Sequence, residues 1–319
     1  MKKTLFMALT ILILISVISC SKAKKLTDPS PAPTATATNT PYHEYLGAFG
    51  GVDGTAAGQL HSIDAMCVDS NNNLYVGASN YVSKFDSNFI YQLRWGTSLT
   101  GDGKFSSIFG VSADSNGNIW VCDGMSDIIT KHDNSNGNIL QYLYNVGTGQ
   151  GQFNGPSYIF INDKVHIVDY LNARVQTINL DMSYDSQFDI LTGDPTYYDY
   201  LALAADSTGN IYTMVLNQNR IKKFDSSGNF VKKFDDLYQT RGMALFGNKI
   251  YATSYNNIRV YSLNGDQLYT ISNYYDAGVF KTFNTIGKLA VDSQGNIYIA
   301  EISTGVCRVL KLSGVEKYN

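Results

Sequence analysis

The stretch Asp292-Ser293-Gln294-Gly295-Asn296-Ile297-Tyr298-Ile299 decides the fold, because the chain carries it repeatedly. Further copies read Asp69-Ser70-Asn71-Asn72-Asn73-Leu74-Tyr75-Val76, Asp114-Ser115-Asn116-Gly117-Asn118-Ile119-Trp120-Val121 and Asp206-Ser207-Thr208-Gly209-Asn210-Ile211-Tyr212-Thr213. Two shortened copies, Asn162-Asp163-Lys164-Val165-His166-Ile167 and Gly247-Asn248-Lys249-Ile250-Tyr251-Ala252, lose part of the turn. Each copy joins an apolar strand to a second one through a tight turn. Asn and Gly accept the positive φ such a turn needs, and Asp or Ser bonds the turn's own backbone. The aliphatic anchors Leu74, Ile119, Val165, Ile211, Ile250 and Ile297 recur at steps of 45, 46, 46, 39 and 47 residues. Several short strands per unit at a period of roughly 40–50 residues mark a β-propeller. The fold class is therefore all-β, with six blades of four strands.

Strands named a to d run outward from the channel. In blade one they are expected at 65–68, 73–77, 81–85 and 89–95, and in blade two at 110–113, 118–122, 128–132 and 139–146. A Gly-x-Leu/Phe element recurs between blades at Gly58-Gln59-Leu60, Gly103-Lys104-Phe105 and Gly151-Gln152-Phe153, with a less regular copy at Gly278-Val279-Phe280. The last blade is one strand short. Tyr45-Leu46-Gly47-Ala48-Phe49-Gly50 matches the close of other d strands, such as Asn145-Val146-Gly147. Residues 44–50 are therefore predicted to complete blade six and latch the ring, removing open sheet edges.

Residues 1–19 read as an address. Lys2 and Lys3 precede an apolar run from Leu5 to Ile18, shorter than the roughly 20 residues a spanning helix needs. Val17-Ile18-Ser19-Cys20 resembles a bacterial lipobox, which implies cleavage before Cys20, lipidation of its thiol and a membrane attachment through that lipid. Ser21 after the cysteine points to the outer membrane. Residues 20–41 are rich in Pro, Thr and Ala and form an extended tether with nothing to bury. Residues 42–319 are the propeller, expected to be a monomer.

The chain is slightly acidic, at −3, so no basic excess suits a phosphate backbone and nucleic-acid binding is disfavoured. After Cys20 three cysteines remain, Cys67, Cys122 and Cys307, in strands of different blades. That scatter predicts buried free thiols rather than a disulfide framework.

Blade three carries the most specific signal: Gly151-Gln152-Phe153-Asn154-Gly155-Pro156, then Val168-Asp169-Tyr170-Leu171-Asn172-Ala173-Arg174-Val175-Gln176. This run resembles the NHL repeat, and the likeness extends over residues 44–319. Only blade three keeps the Pro, and Asp123, Asp169 and Glu301 are the only acids at the b–c position. NHL propellers include lyases, sensor domains and binding scaffolds, so the resemblance implies a fold more than an activity.

In a propeller the d–a and b–c loops share one face. Aligning the repeats puts His61, Ser106, Asn154, Tyr198, Gln239 and Asn284 at the channel mouth on that face. All six can hydrogen-bond, and convergent polar groups around a channel make a candidate binding face. Asp123, Asp169 and Glu301 would add acceptors beside it, with Arg174, Arg220 and Arg259 near. NHL-type amidating lyases hold zinc with several channel histidines, and a zinc site takes three or four converging ligands. Here His166 stands in a slot held elsewhere by Tyr or Trp, His132 in a slot held by Phe85 and Phe224, and His43 at the tether's end. Only His61 reaches the mouth. No catalytic constellation, metal set or cofactor site is expected. The Asp-x-Asn-x-Asn turns lack the downstream acid of a calcium loop and serve turn geometry. The sequence thus reads as a lipid-anchored envelope protein whose propeller binds a protein, glycan or small molecule at the mouth. The alternative is a metal-dependent lyase or hydrolase acting around His61.

Overall fold

Each full copy of the repeat folds around one buried carboxylate. Asp69 Oδ1 accepts the N–H groups of Asn71 and Asn73, both at 2.9 Å, and Oδ2 accepts the Asn73 side chain at 2.8 Å and the Tyr75 hydroxyl at 3.0 Å. Trp120 donates its ring N–H to Asp114 at 3.0 Å, and Tyr212 and Tyr298 donate to Asp206 and Asp292 at 2.9 and 3.2 Å. The four acids are buried, so these bonds replace the water they have lost. A lysine on strand c then covers the aromatic ring. Lys131 lies 3.4 Å from Asp114 and 5.1 Å from the Trp120 centroid, and Lys311 sits 5.0 Å from that of Tyr298. Turn, strand b and strand c are tied together by a single residue type at a fixed spacing.

In the computed structural model the described residues are 42–51, 54, 56–96, 104–191, 200–215, 220–234, 240–303 and 305–317. The expected signal peptide (1–19), Cys20, the tether (20–41), Tyr198 and Gln239 lie outside them. The inner strands are Ala65–Val68, Ile108–Ala113, Pro156–Ile161, Tyr200–Ala205, Met243–Phe246 and Thr285–Val291. Each begins an antiparallel sheet that runs outward through strands b, c and d. Blades one and two have strands at Leu74–Ala78, Tyr81–Phe85 and Tyr91–Trp95, and at Ile119–Asp123, Ile128–His132 and Ile139–Tyr144, within a few residues of expectation. The architecture is all-β, a ring of six blades. The described cores are clusters between neighbouring blades: Ile108 and Trp95 between one and two, for instance, and Tyr274 and Ile258 between five and six. Leu60, Phe105 and Phe153 of the Gly-x-Leu/Phe element are buried at such seams.

His43–Gly50 closes the ring. It pairs antiparallel with Val306–Leu312, matching Tyr45 with Leu312 and Phe49 with Val309, with a bulge at Leu46. Phe49 then packs on blade one, 4.0 Å from the Phe85 centroid and 5.2 Å from Phe89. At the start of the strand, His43 Nδ1 donates to the Ser313 carbonyl at 2.6 Å, and Tyr42 exchanges backbone bonds with Lys317.

One expectation needs correcting. Gly278-Val279-Phe280 is not an inter-blade element. It sits at the turn of an extra hairpin, Asn273–Asp276 and Val279–Thr282, where Ala277 (φ 47°) and Gly278 (φ 91°) take the positive dihedrals of a two-residue turn. The hairpin pairs in parallel with His43–Gly50, so the sixth sheet has six strands rather than four. The inter-blade slot is filled by Phe283 instead, buried against Tyr274 at 5.3 Å.

The latch makes a stability prediction. Phe49→Ala leaves a cavity between blades six and one and costs about 3 kcal/mol. Leu46→Ala, at a side chain 50% exposed, changes stability by less than about 0.5 kcal/mol. Urea unfolding midpoints of the two variants check this, and equal losses would mean that Phe49 does not hold the seam.

Candidate functional site

In blades two, three and six the b–c corner stands beside the loop that leads into strand a of the same blade, so an acid there meets backbone N–H groups. Asp123, 1% exposed, accepts the N–H of Ser106 at 2.6 Å and of Ser107 at 3.0 Å. Asp169 accepts the N–H of Asn154 at 2.8 Å, and Glu301 that of Asn284 at 2.8 Å. Each acid thus grips the residue aligned at the mouth of its own blade. The three carboxylates are buried and hold the mouth loops instead of offering acceptors to solvent.

Blade three shows why the run Asp169 to Gln176 has its composition. Asp169 Oδ2 accepts from Asn172 at 2.9 Å, Arg174 Nε at 2.7 Å and Gln176 at 3.0 Å. Arg174, itself buried, spends its other nitrogens on the carbonyls of Thr148, Gly149 and Gln152 at 2.7–2.9 Å and on Gln187. Asn172 and Gln176 bond the carbonyls of Gly147 and Gln152. One buried polar knot therefore fixes the whole loop from Gly147 to Gly155. Arg174 positions the mouth and does not reach into it. In blade six Arg308 Nε meets Glu301 at 2.7 Å in the same sense. Blade one has Ala78 where the acid would stand. There Asp64, two residues after Ser62, takes over and accepts the Ser79 N–H at 2.7 Å and the Ser62 hydroxyl at 2.9 Å. Sequence reading missed Asp64 because it lies outside the aligned column.

With the loops held this way, His61, Ser106 and Asn284 are exposed and Asn154 is half-buried. Ser106 also accepts the Ser126 hydroxyl at 2.7 Å. The described part of the mouth therefore presents imidazole, hydroxyl and amide groups on a fixed backbone. Below it the inner strands enclose a space of about 70 Å³, lined mainly by apolar side chains. That admits a few waters or a small molecule, well under the roughly 300–1,000 Å³ of a drug-sized pocket.

The histidines divide as the sequence suggests, with one addition. His166 bonds Thr177 at 3.0 Å and Asn162 at 3.3 Å within its blade. His132 is buried between Trp95 and Phe105, its nitrogens meeting the Gly137 carbonyl and the Thr130 hydroxyl. His43, expected at the tether's end, is instead buried in the latch. Among the described residues no three His, Cys, Asp or Glu side chains converge as a metal site. The Asp oxygens of the repeat turns are spent on the turns themselves. Cys67, Cys122 and Cys307 form no disulfide, the latter two are buried, and burial pushes the Cys67 and Cys122 thiols well above the ordinary range.

No family model and no curated protein matches the sequence. Solved structures do. Virginiamycin B lyase from Staphylococcus aureus is 14% identical with a TM-score of 0.54, covering 87% of this chain and 96% of that one. A catalytically inactive variant of that lyase with quinupristin is also 14% identical, with a TM-score of 0.56 and coverage of 86% and 99%. A structure of U3-55K is 13% identical, with a TM-score of 0.59 and coverage of 81% and 79%. At this identity the likenesses show the propeller fold alone.

Two predictions test this reading. Asp169→Ala strands a buried guanidinium and an unsatisfied Asn154 N–H, and costs about 3 kcal/mol or more. Asp185→Ala, which removes the partly exposed pair with Lys164, costs less than about 1 kcal/mol in the same denaturant titration. The second concerns pH. Burial, reinforced by the Lys164 charge, lowers His166 from the ordinary 6.5 to about 4, and burial also lowers His132 and His43. The unfolded chain then takes up protons near pH 6.5 that the folded state refuses. This contribution is full above that pH and is lost as pH falls towards 4, its lower end overlapping the first protonation of carboxylates. His166→Tyr, which installs the residue of the equivalent blades, should shrink the loss between pH 7 and 4 by about 3 kcal/mol. An unchanged loss would show that His166 is not held neutral.

Proposed function

We propose that the chain is a lipid-anchored cell-envelope protein whose NHL-like propeller captures an envelope protein, glycan or small molecule at the channel-mouth face, as a binding or scaffold module rather than a catalyst. The observation that carries this reading is the spending of buried acids on the mouth backbone. Asp123, Asp169 and Glu301 fix the loops, so the backbone that carries Ser106, Asn154 and Asn284 beside His61 adds little ordering cost on binding. Tyr198 and Gln239 complete this ring on the alignment of the repeats. Attachment through a lipid at Cys20 to the outer membrane follows from the lipobox-like Val17-Ile18-Ser19-Cys20. The Pro/Thr/Ala tether then spaces a monomeric propeller from the bilayer by up to about 3 Å per residue when extended.

A second reading, a metal-dependent lyase or hydrolase, is favoured by one observation. The lyase it resembles has a catalytically inactive variant, and His61 is the exposed histidine at this mouth. It would need further ligands or bases from residues beyond those now assembled around His61.

The test is capture from envelope extracts by immobilised full chain, compared with the triple variant His61→Ala, Asn154→Ala, Asn284→Ala. Capture should fall at least tenfold in the triple variant while its melting temperature stays within a few degrees. Undiminished capture would move the site off the mouth. Turnover of a cyclic ester or peptide lost in His61→Ala alone would favour the second reading.

A further inference from the structure

Among the described residues, the charged side chain of Lys288 lines the channel beneath the mouth. Lys288, on the inner strand of blade six, donates from Nζ to the Tyr158 hydroxyl, and its Nζ lies 4.5 Å from the Tyr158 ring centroid. Tyr158 belongs to the inner strand of blade three, on the far side of a six-blade ring. The pair therefore spans the channel. The space around it is walled by Met66, Phe109, Leu203, Met243 and Leu289, with no acidic residue in its lining. Among the described residues Lys288 has no carboxylate partner.

The backbone shows that these two side chains are aimed. In four inner strands the pairing with strand b slips, between Ile108 and Gly110, Pro156 and Ile159, Tyr200 and Ala202, and Ile286 and Leu289. Tyr158 and Lys288 sit inside two of those slips. A bulge turns a side chain out of the regular alternation and is a common device beside binding sites. Both residues lie four positions into the chain from the mouth residues Asn154 and Asn284, about 13 Å along an extended strand.

A half-buried ammonium beside apolar side chains, hydrogen-bonded to one phenol and to no anion among the described residues, is placed to donate a charge-assisted bond to an anionic ligand. We propose that the Lys288–Tyr158 pair is a binding site for a small organic carboxylate with a short alkyl body. The carboxylate accepts one bond from the Lys288 ammonium and one from the Tyr158 hydroxyl, which is released from lysine for the purpose. The alkyl body lies against Met66, Phe109, Met243 and Leu289. Acyl chain length is read by that apolar wall, and the space of about 70 Å³ limits the ligand to a few carbons before the wall must move. This inference deepens the binding reading of the mouth face and shares its channel.

The experiment is calorimetric titration of the purified full chain with acetate, butyrate and hexanoate, and with inorganic phosphate as a hydrated anion lacking an alkyl body. Butyrate should bind saturably and more tightly than acetate, by roughly fourfold per added methylene until the space is full. Lys288→Met should weaken butyrate tenfold or more, and Tyr158→Phe severalfold. Lys288→Arg, which keeps the charge, should retain part of the affinity and guards against a folding defect in the methionine variant. No saturable carboxylate binding, equal binding by Lys288→Met with a native melt, or phosphate binding as well as butyrate would each overturn the proposal. Butyrate binding lost while mouth capture persists would fail this inference alone. Mouth capture lost from the triple variant while its butyrate binding persists would leave both standing, and undiminished capture with butyrate binding intact would fail the mouth reading alone.

Discussion

The structure depends on one constraint, that a buried carboxylate must be surrounded by hydrogen-bond donors. The chain meets it at both faces of the ring. On one face Asp69, Asp114, Asp206 and Asp292 collect backbone N–H groups, an Asn amide and an aromatic hydroxyl or indole from their own turn. On the other, Asp123, Asp169 and Glu301 collect N–H groups from the loops that feed strand a. Removing any one acid would leave several donors dry at once, which is far costlier than losing a single bond. The repeat turns and the described mouth loops at Ser106, Asn154 and Asn284 are consequently held by the fold itself.

Ring closure is the second requirement, and it has a different physical origin. A blade's two faces are apolar and each is covered only by its neighbour, as the cores between successive blades show. An open ring would leave two such faces and a strand edge exposed. Pairing His43–Gly50 with the last strand binds the two ends of the described chain into one sheet, and Phe49 carries that closure into blade one. The extra hairpin then covers the outer edge of the latch strand at His43 and Glu44.

Much of this is legible in the sequence because its causes are local. Asp-x-x-Gly-Asn-x-Tyr specifies a turn, its donors and a strand within eight residues, and its spacing gives the blade number. The latch is legible because Tyr45 to Gly50 resembles other d strands. Gly278-Val279-Phe280 misleads because a turn glycine and an aromatic imitate the inter-blade element, while Phe283 fills the slot without the glycine. Alignment of the repeats picks out His61, Ser106, Asn154 and Asn284 among the described residues, but the roles of Asp169 and Arg174 depend on which donors converge on them in space. Lys288 carries one sequence signal, a lone charge in the apolar strand Ile286 to Val291. Its meeting with Tyr158 spans 130 residues and belongs to the ring as a whole.

The central claim is that buried acids hold the mouth loops rigid, and native-state hydrogen exchange tests it directly at single amides. The Ser106, Asn154 and Asn284 N–H groups lie outside strands, two of them in residues exposed to solvent. They are predicted to exchange as slowly as core amides such as Val121 or Ile167, through unfolding of the whole ring. Exchange at the rate of unstructured loops would contradict the account, because the mouth would then be ordered by its ligand and not by the fold.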